Sequence, residues 1–217
     1  AGDRVLLSGV VYSARDAAVD PAANPDRDAG KQTAGSALLE QSWAPGHRTQ
    51  VNLLSSRTQS AYDGYSPGLD DVLSTRTEVA GVQSRHALAA DTALTVQLGQ
   101  TREHFDDPTG FAAIGDNRVR LAGAQLSWQA APEHEWQLGA EAKRERFSDS
   151  GTPERTRNTD SLRAAWLGRF GADTQPLQVQ ANLRSDRSSA YGQATTGLLA
   201  VAYTLSPGWK ASAQAST

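Results

Sequence analysis

The chain has 217 residues, 38% of them hydrophobic, and its mean hydropathy of −0.51 is typical of a water-soluble protein. Its net charge of −3, without a basic cluster that carries interleaved aromatic residues, argues against a nucleic-acid partner. The absence of cysteine excludes disulfides, thiolate zinc sites and cysteine nucleophiles. No segment reaches the roughly 18 apolar residues of a transmembrane helix, but a membrane-spanning strand needs apolar residues only at alternate positions.

Segments with a period of two follow one another along the whole chain, which predicts about eleven strands. Residues 33–41 are also compatible with a short helix, but strand is favoured there. The predicted strands are residues 4–14, 32–43, 48–60, 72–88, 92–104, 117–129, 134–147, 159–170, 176–184, 193–205 and 210–217.

The connections between these strands alternate between two kinds. Short turns lie at residues 44–46, 89–91, 131–133, 171–173 and 206–208. Long, acidic connections are predicted at residues 16–30, 62–71, 106–116, 148–158 and 186–191. An antiparallel up-and-down meander with short turns at one end and long loops at the other is typical of a transmembrane β-barrel.

Tryptophan placement supports the membrane interpretation. Trp43, Trp128, Trp136 and Trp209 lie within a few residues of short turns, whereas Trp166 is farther from its turn. Indole rings settle at bilayer interfaces, where they form the aromatic girdle of such barrels. Packing over the end of a soluble core is the competing explanation for these tryptophans.

The alternation in residues 176–184 is likewise compatible with a membrane barrel and with a soluble protein. Leu177, Val179, Ala181 and Leu183 alternate with Gln178, Gln180, Asn182 and Arg184. Either the apolar side chains pack against a second protein layer, or lipid covers them and the polar side chains line a wet lumen. Because the segments exceed the five to six residues of an average soluble strand, we favour the lumen.

Acidic residues in the long connections are the candidate site. Several carboxylates together with carbonyl oxygens suit calcium, which takes six to eight oxygen ligands. Aspartate is also common in loops simply because it forms turns. The four histidines and the remaining glutamates form no evident catalytic or metal cluster in the sequence.

Two stretches resemble a known family. Residues 56–68, Ser-Arg-Thr-Gln-Ser-Ala-Tyr-Asp-Gly-Tyr-Ser-Pro-Gly, resemble a strand and loop of the outer-membrane vitamin B12 (cobalamin) receptors, which are TonB-dependent transporters. Residues 184–192, Arg-Ser-Asp-Arg-Ser-Ser-Ala-Tyr-Gly, resemble a later stretch of the same family. The order of strands and loops agrees across essentially the whole chain.

The resemblance implies a 22-stranded barrel filled by a plug, with residues 1–217 as a partial barrel domain that lacks the plug and the closing strands. It also implies calcium held by loop aspartates and a cobalamin ligand. Asp70 and Asp71 are alternatives for the last acidic ligand, because the family's aspartate directly precedes Thr-Arg and here both lie a few residues before Thr75-Arg76. The offset is compatible with a shifted register and with the loss of that ligand. Carried over by position, the metal-ligating residues are Asp16, Asp26, Asp28, Tyr62, Asp63 and Asp70 or Asp71.

We therefore predict a binding and transport protein of the bacterial outer membrane, and not an enzyme. Its expected partners are cobalamin or another metal complex, outer-membrane lipid and, through the plug, the TonB complex. The alternatives are a receptor for a siderophore or other metal complex, and a surface β-module without transport function, such as an adhesin.

Overall fold

The computed structural model describes residues 3–15, 29–63, 70–107, 114–171, 176–206 and 208–217. These residues form eleven strands, so the predicted all-β fold and strand number are confirmed. The strands are β1 (Arg4–Arg15), β2 (Ala29–Ala44), β3 (His47–Asp63), β4 (Asp70–Ala87), β5 (Thr92–Asp106), β6 (Ile114–Ala131), β7 (His134–Asp149), β8 (Thr152–Phe170), β9 (Leu177–Ser188), β10 (Gly192–Ser206) and β11 (Trp209–Ser216).

All eleven strands belong to one antiparallel sheet, in which each strand pairs with its neighbours in the chain. Residues 33–41 lie inside β2, so strand and not helix is confirmed there. Across the described ranges, the structure has no helix with the length and hydropathy needed to cross a bilayer.

The short turns join strands with very few residues. Two residues, Pro45 and Gly46, connect β2 to β3, and Gly46 has φ +77°, a conformation that favours glycine. Pro132 and Glu133 connect β6 to β7 in the same way. Such tight connections keep consecutive strands adjacent and antiparallel.

Two of the predicted long connections are wrong. Strand pairing continues from Arg144 opposite Asn158 to Phe147 opposite Arg155, and only Ser150 and Gly151 form the turn between β7 and β8. Likewise, β9 extends to Ser188, and residues 189–191 form its turn to β10. Both faces of these strand ends are polar, so the period of two disappears from the sequence although the backbone pairing persists.

Exposure across the sheet is the reverse of that in a soluble protein. We define the apolar face as the side that carries Leu98, Leu138, Leu162, Leu183 and Leu199, whose exposed fractions are 57%, 53%, 67%, 56% and 53%. The opposite side, the polar face, carries half-buried side chains such as Gln97, Gln137 and Glu141. No second protein layer packs on the apolar face among the described residues, because close backbone approaches join only strands adjacent in the sheet.

Candidate functional site

The end of the sheet opposite the short turns holds the described part of the predicted metal site. The register pairs Tyr62 with Asp71 and Asp63 with Asp70 across β3 and β4. Asp16, Asp26 and Asp28 lie outside the described residues. Four of the predicted ligands thus lie at the paired ends of β3 and β4 and not within a loop, and their role as metal ligands stays a prediction.

Asp107 also lies at this end of the sheet, although it is not among the metal ligands predicted from the sequence. The half-buried Tyr62 side chain donates a hydrogen bond from its hydroxyl group to Oδ1 of Asp107, which follows β5. Asp71 is itself buried, with 8% of its surface exposed. The signal that could have identified Asp107 is the Asp106-Asp107 pair, which begins the third long connection at the same end of the meander.

The described side chains at this end of the sheet carry carboxylate and hydroxyl oxygens. Within the described residues, no group of three or more histidine, aspartate, glutamate or cysteine side chains is arranged to hold a metal ion. Carboxylate and hydroxyl oxygens are nevertheless the ligand type that calcium prefers. Calcium binding at this end therefore stays a prediction that rests on residue type and on the family resemblance.

The polar face carries a network of charged and amide side chains at mid-height. Arg184 on β9 reaches Asp186 at 2.9 Å, and its Nη2 lies 3.6 Å from Oε1 of Glu141 on β7, two strands away. Arg163 on β8 likewise donates to Gln125 on β6. Arg163 crosses β7 at Gly139, where an added Cβ would lie 2.5 Å from its Nε.

A cavity of about 240 Å³ lies within this network. Its lining includes three arginines, Arg85, Arg163 and Arg184, as well as Glu141 and the amides of Gln97 and Gln125. These groups donate and accept hydrogen bonds, so the polar face suits water or a polar ligand.

Tryptophans mark one level of the apolar face. The register places Trp128 opposite Trp136 and Trp136 opposite Trp166 on three adjacent strands. Trp166 also stacks on His134, with ring centroids 5.8 Å apart, and meets Phe170 edge-on. Trp166 therefore belongs to the aromatic row, which its distance from the turn in the sequence had obscured.

Two histidines that look dispersed in the sequence are cross-strand neighbours. His47 on β3 is opposite His86 on β4, and their Nδ1 atoms lie 3.4 Å apart. Nε2 of His86 is 2.9 Å from the hydroxyl group of Ser84. Two imidazoles alone supply fewer ligands than a structural metal site requires.

The structure is similar to those of three known receptors and transporters. The siderophore receptor PirA from Pseudomonas aeruginosa has a TM-score of 0.68 and 14% identity over 87% of this chain and 35% of that chain. The siderophore receptor PiuA from Acinetobacter baumannii gives 0.62 and 9%, over 94% and 44%. The ferric citrate transporter FecA in its unliganded form gives 0.60 and 11%, over 87% and 36%.

The chain thus spans less than half the length of each of these proteins. It matches no protein-family model and no curated protein. At such low identity the similarity establishes the fold alone. The chain has the fold of part of the wall of an outer-membrane β-barrel.

Proposed function

We propose that the chain is part of the barrel wall of an outer-membrane receptor that imports a metal complex. The observation that carries this proposal is the reversed exposure of the sheet, in which leucines are exposed and glutamines are half-buried. Bare leucines suit contact with lipid, whereas the polar face suits a wet lumen. The proteins with a similar fold are described as siderophore receptors and a ferric citrate transporter, which supports a metal complex as the ligand.

The proposal includes energy coupling through TonB and a plug that fills the lumen. Its support is the resemblance of residues 56–68 and 184–192 to cobalamin receptors. The polar face offers Arg163, Arg184 and Glu141 as hydrogen-bonding groups that a plug surface would need. Binding and transport, and not catalysis, are therefore the proposed activity.

As the specific ligand we propose a corrinoid, captured by calcium-ordered extracellular loops. The backbone register supports this proposal, because it brings Tyr62, Asp63, Asp70 and Asp71 to one end of β3 and β4, beside Asp107. Acidic residues that face each other across strands destabilise the pairing unless a cation lies between them. Calcium would neutralise them and order the loops before the ligand arrives, which lowers the entropic cost of binding.

Calorimetric titration of the full-length receptor with cyanocobalamin, in calcium and in chelator, tests this ligand. We expect Asp71→Asn and Asp63→Asn to reduce the calcium-dependent affinity by at least about tenfold, since each removes a charged oxygen ligand. Asp91→Asn, which lies in a short turn at the opposite end, is the matched control. Equal affinity of the unmodified receptor in calcium and chelator would rule out the calcium role.

An anionic ferric complex is the second candidate ligand, and a specific feature of the polar face favours it. Arg48, Arg85, Arg163 and Arg184 belong to one register row that crosses the sheet through Thr95, Gln125 and Gly139. Such a row of cations attracts a negatively charged iron complex. Titration of the same receptor with ferric citrate and a ferric catecholate distinguishes the two ligands, because only the favoured class should bind with high affinity.

A further inference from the structure

We propose that the apolar side of the sheet also carries a binding site for phosphate groups of the lipid headgroups that surround the barrel. This inference rests on the proposed membrane location. The site is a group of arginines that we call the outer arginine cluster. Its members are Arg76, Arg102, Arg118, Arg120, Arg144 and Arg146.

Strand register concentrates these arginines beyond the upper edge of the leucines. Arg102, Arg118 and Arg146 are directly opposite one another on β5, β6 and β7. One pleat closer to the leucines, Arg120 is opposite Arg144. Like charges directly opposite on adjacent strands destabilise a sheet, so an anion between the side chains would stabilise these rows.

The protein's own carboxylates compensate the charge of these arginines only in part. Within the described residues, four carboxylates lie on this patch. Glu78 pairs with Arg76 and is also opposite Arg102, and Asp116 is 3.2 Å from His104. Glu154 is 3.8 Å from Arg146, and Asp106 lies on the same face two residues beyond His104. Six arginines and four carboxylates leave a net charge of +2 with His104 neutral, although the chain as a whole carries −3. The four other arginines make no ion pair with a carboxylate of the described residues.

The position of the cluster matches a headgroup region. From Trp136 to Arg144 and Arg146, β7 rises by about 26 and 33 Å along the strand. At a tilt of roughly 40° these lengths correspond to about 20 and 25 Å along the membrane normal, close to the roughly 25 Å apolar band of such barrels. If the tryptophan row lies at one interface, the arginines lie at the other, on the side of the longer loops.

The surface shape is also suitable for headgroups. Two shallow depressions, of about 210 and 380 Å³, share Arg102 and Asp116 in their linings. Arg118 and Arg146 line the smaller depression, and Arg76 lines the larger. Guanidinium groups bind phosphate through paired, charge-assisted hydrogen bonds, and basic residues beside a bilayer favour anionic lipid.

Native mass spectrometry of the purified full-length receptor tests this site, with bisphosphorylated lipid A and its dephosphorylated form as lipid probes. We expect the receptor to retain the bisphosphorylated lipid, and Arg118→Gln/Arg144→Gln to reduce its retention at least tenfold. Arg155→Gln/Arg169→Gln removes the same charge from the opposite face and should leave retention unchanged. An excess of free inorganic phosphate tests whether the ion alone occupies the site, and we expect it to leave the lipid bound.

Three results would overturn the proposal. They are equal retention of phosphorylated and dephosphorylated lipid by the unmodified receptor, equal retention by the two double variants, and full displacement of the lipid by inorganic phosphate. If the cluster variant does not fold, comparison of the retention of the two lipids by the unmodified receptor still tests the proposal. Corrinoid and ferric-complex titrations of the same preparations keep a failure of this site distinct from a failure of the proposed import function.

Discussion

The two faces of the sheet are built from the same strands but differ in the exposure and the hydrogen bonding of their side chains. On the apolar face, Leu162 and Leu183 are more than half exposed and contact no second layer of the described chain. On the polar face, Arg184 bonds to Asp186 and Ser161, and Arg163 reaches across β7 to Gln125. The comparison teaches that the apolar side chains need an apolar medium outside the protein, whereas many polar side chains find hydrogen-bond partners within the protein.

The sharpest test of this contrast is a charge placed on each face at the same height. Val96 lies on the apolar face of β5, midway between the level of the tryptophan row and that of the first arginine row, and Gln97 follows it on the polar face. We expect Val96→Arg in the full-length barrel to cost about 2–4 kcal/mol, because it places a cation near the bilayer midplane. Urea unfolding in lipid vesicles measures this loss.

Gln97→Arg is the matched control and should leave the unfolding free energy nearly unchanged. Equal losses for the two variants would contradict the assignment of the faces.

A smaller effect is expected when an aromatic ring is removed from the tryptophan row. Trp166→Ala loses its stacking contact with His134 and two aromatic pairs, with Trp136 and Phe170, and each aromatic pair is worth about 0.5–1.5 kcal/mol. We expect a total loss of about 1–3 kcal/mol in the same unfolding assay. Trp209→Ala should cost less, since Trp209 is 73% exposed and makes no ring contact within the described structure. A larger loss at Trp209 would show that ring packing does not hold this level of the sheet together.

The smallest effect concerns the polar face. Gly139→Ala would place Cβ 2.5 Å from Nε of Arg163, which must then move away from Gln125. The loss of that hydrogen bond should cost roughly 1 kcal/mol. Gly99→Ala, whose Cβ has 3.9 Å to its nearest neighbour, should be close to neutral. Comparison of the two alanine variants by urea unfolding checks this prediction, and equal stabilities would contradict it.

The strands were predictable because one face of each is apolar where the sheet would cross a bilayer. Leu177 to Leu183 alternate with polar residues, and the observed β9 contains them all. The pattern failed at residues 148–158, the upper ends of β7 and β8, where Glu154 puts charge on one face of β8 and Arg155 and Arg157 put charge on the other. Hydropathy cannot mark a strand there, since water contacts both of its sides.

The candidate site was predictable only in part. Tyr62, Asp63, Asp70 and Asp71 were predicted from the acidic connection and the family resemblance, and strand register pairs them, while their metal role stays a prediction. Asp107 was missed because it meets Tyr62 only across β3, β4 and β5. The outer arginine cluster is not evident in the sequence because most of its members become neighbours only through pairing between β5, β6 and β7. A sequence shows which face a residue occupies more readily than its height on that face.

The strictly sequential strand order has an evolutionary consequence. Since every described strand pairs with its chain neighbours, removing or duplicating one hairpin leaves all other pairings intact. The circumference would then change by two strands at a time, and barrel diameter grows with strand number. A wall of this design can be resized for a bulkier cargo by copying a stretch of some 30 to 40 codons, without any new topology.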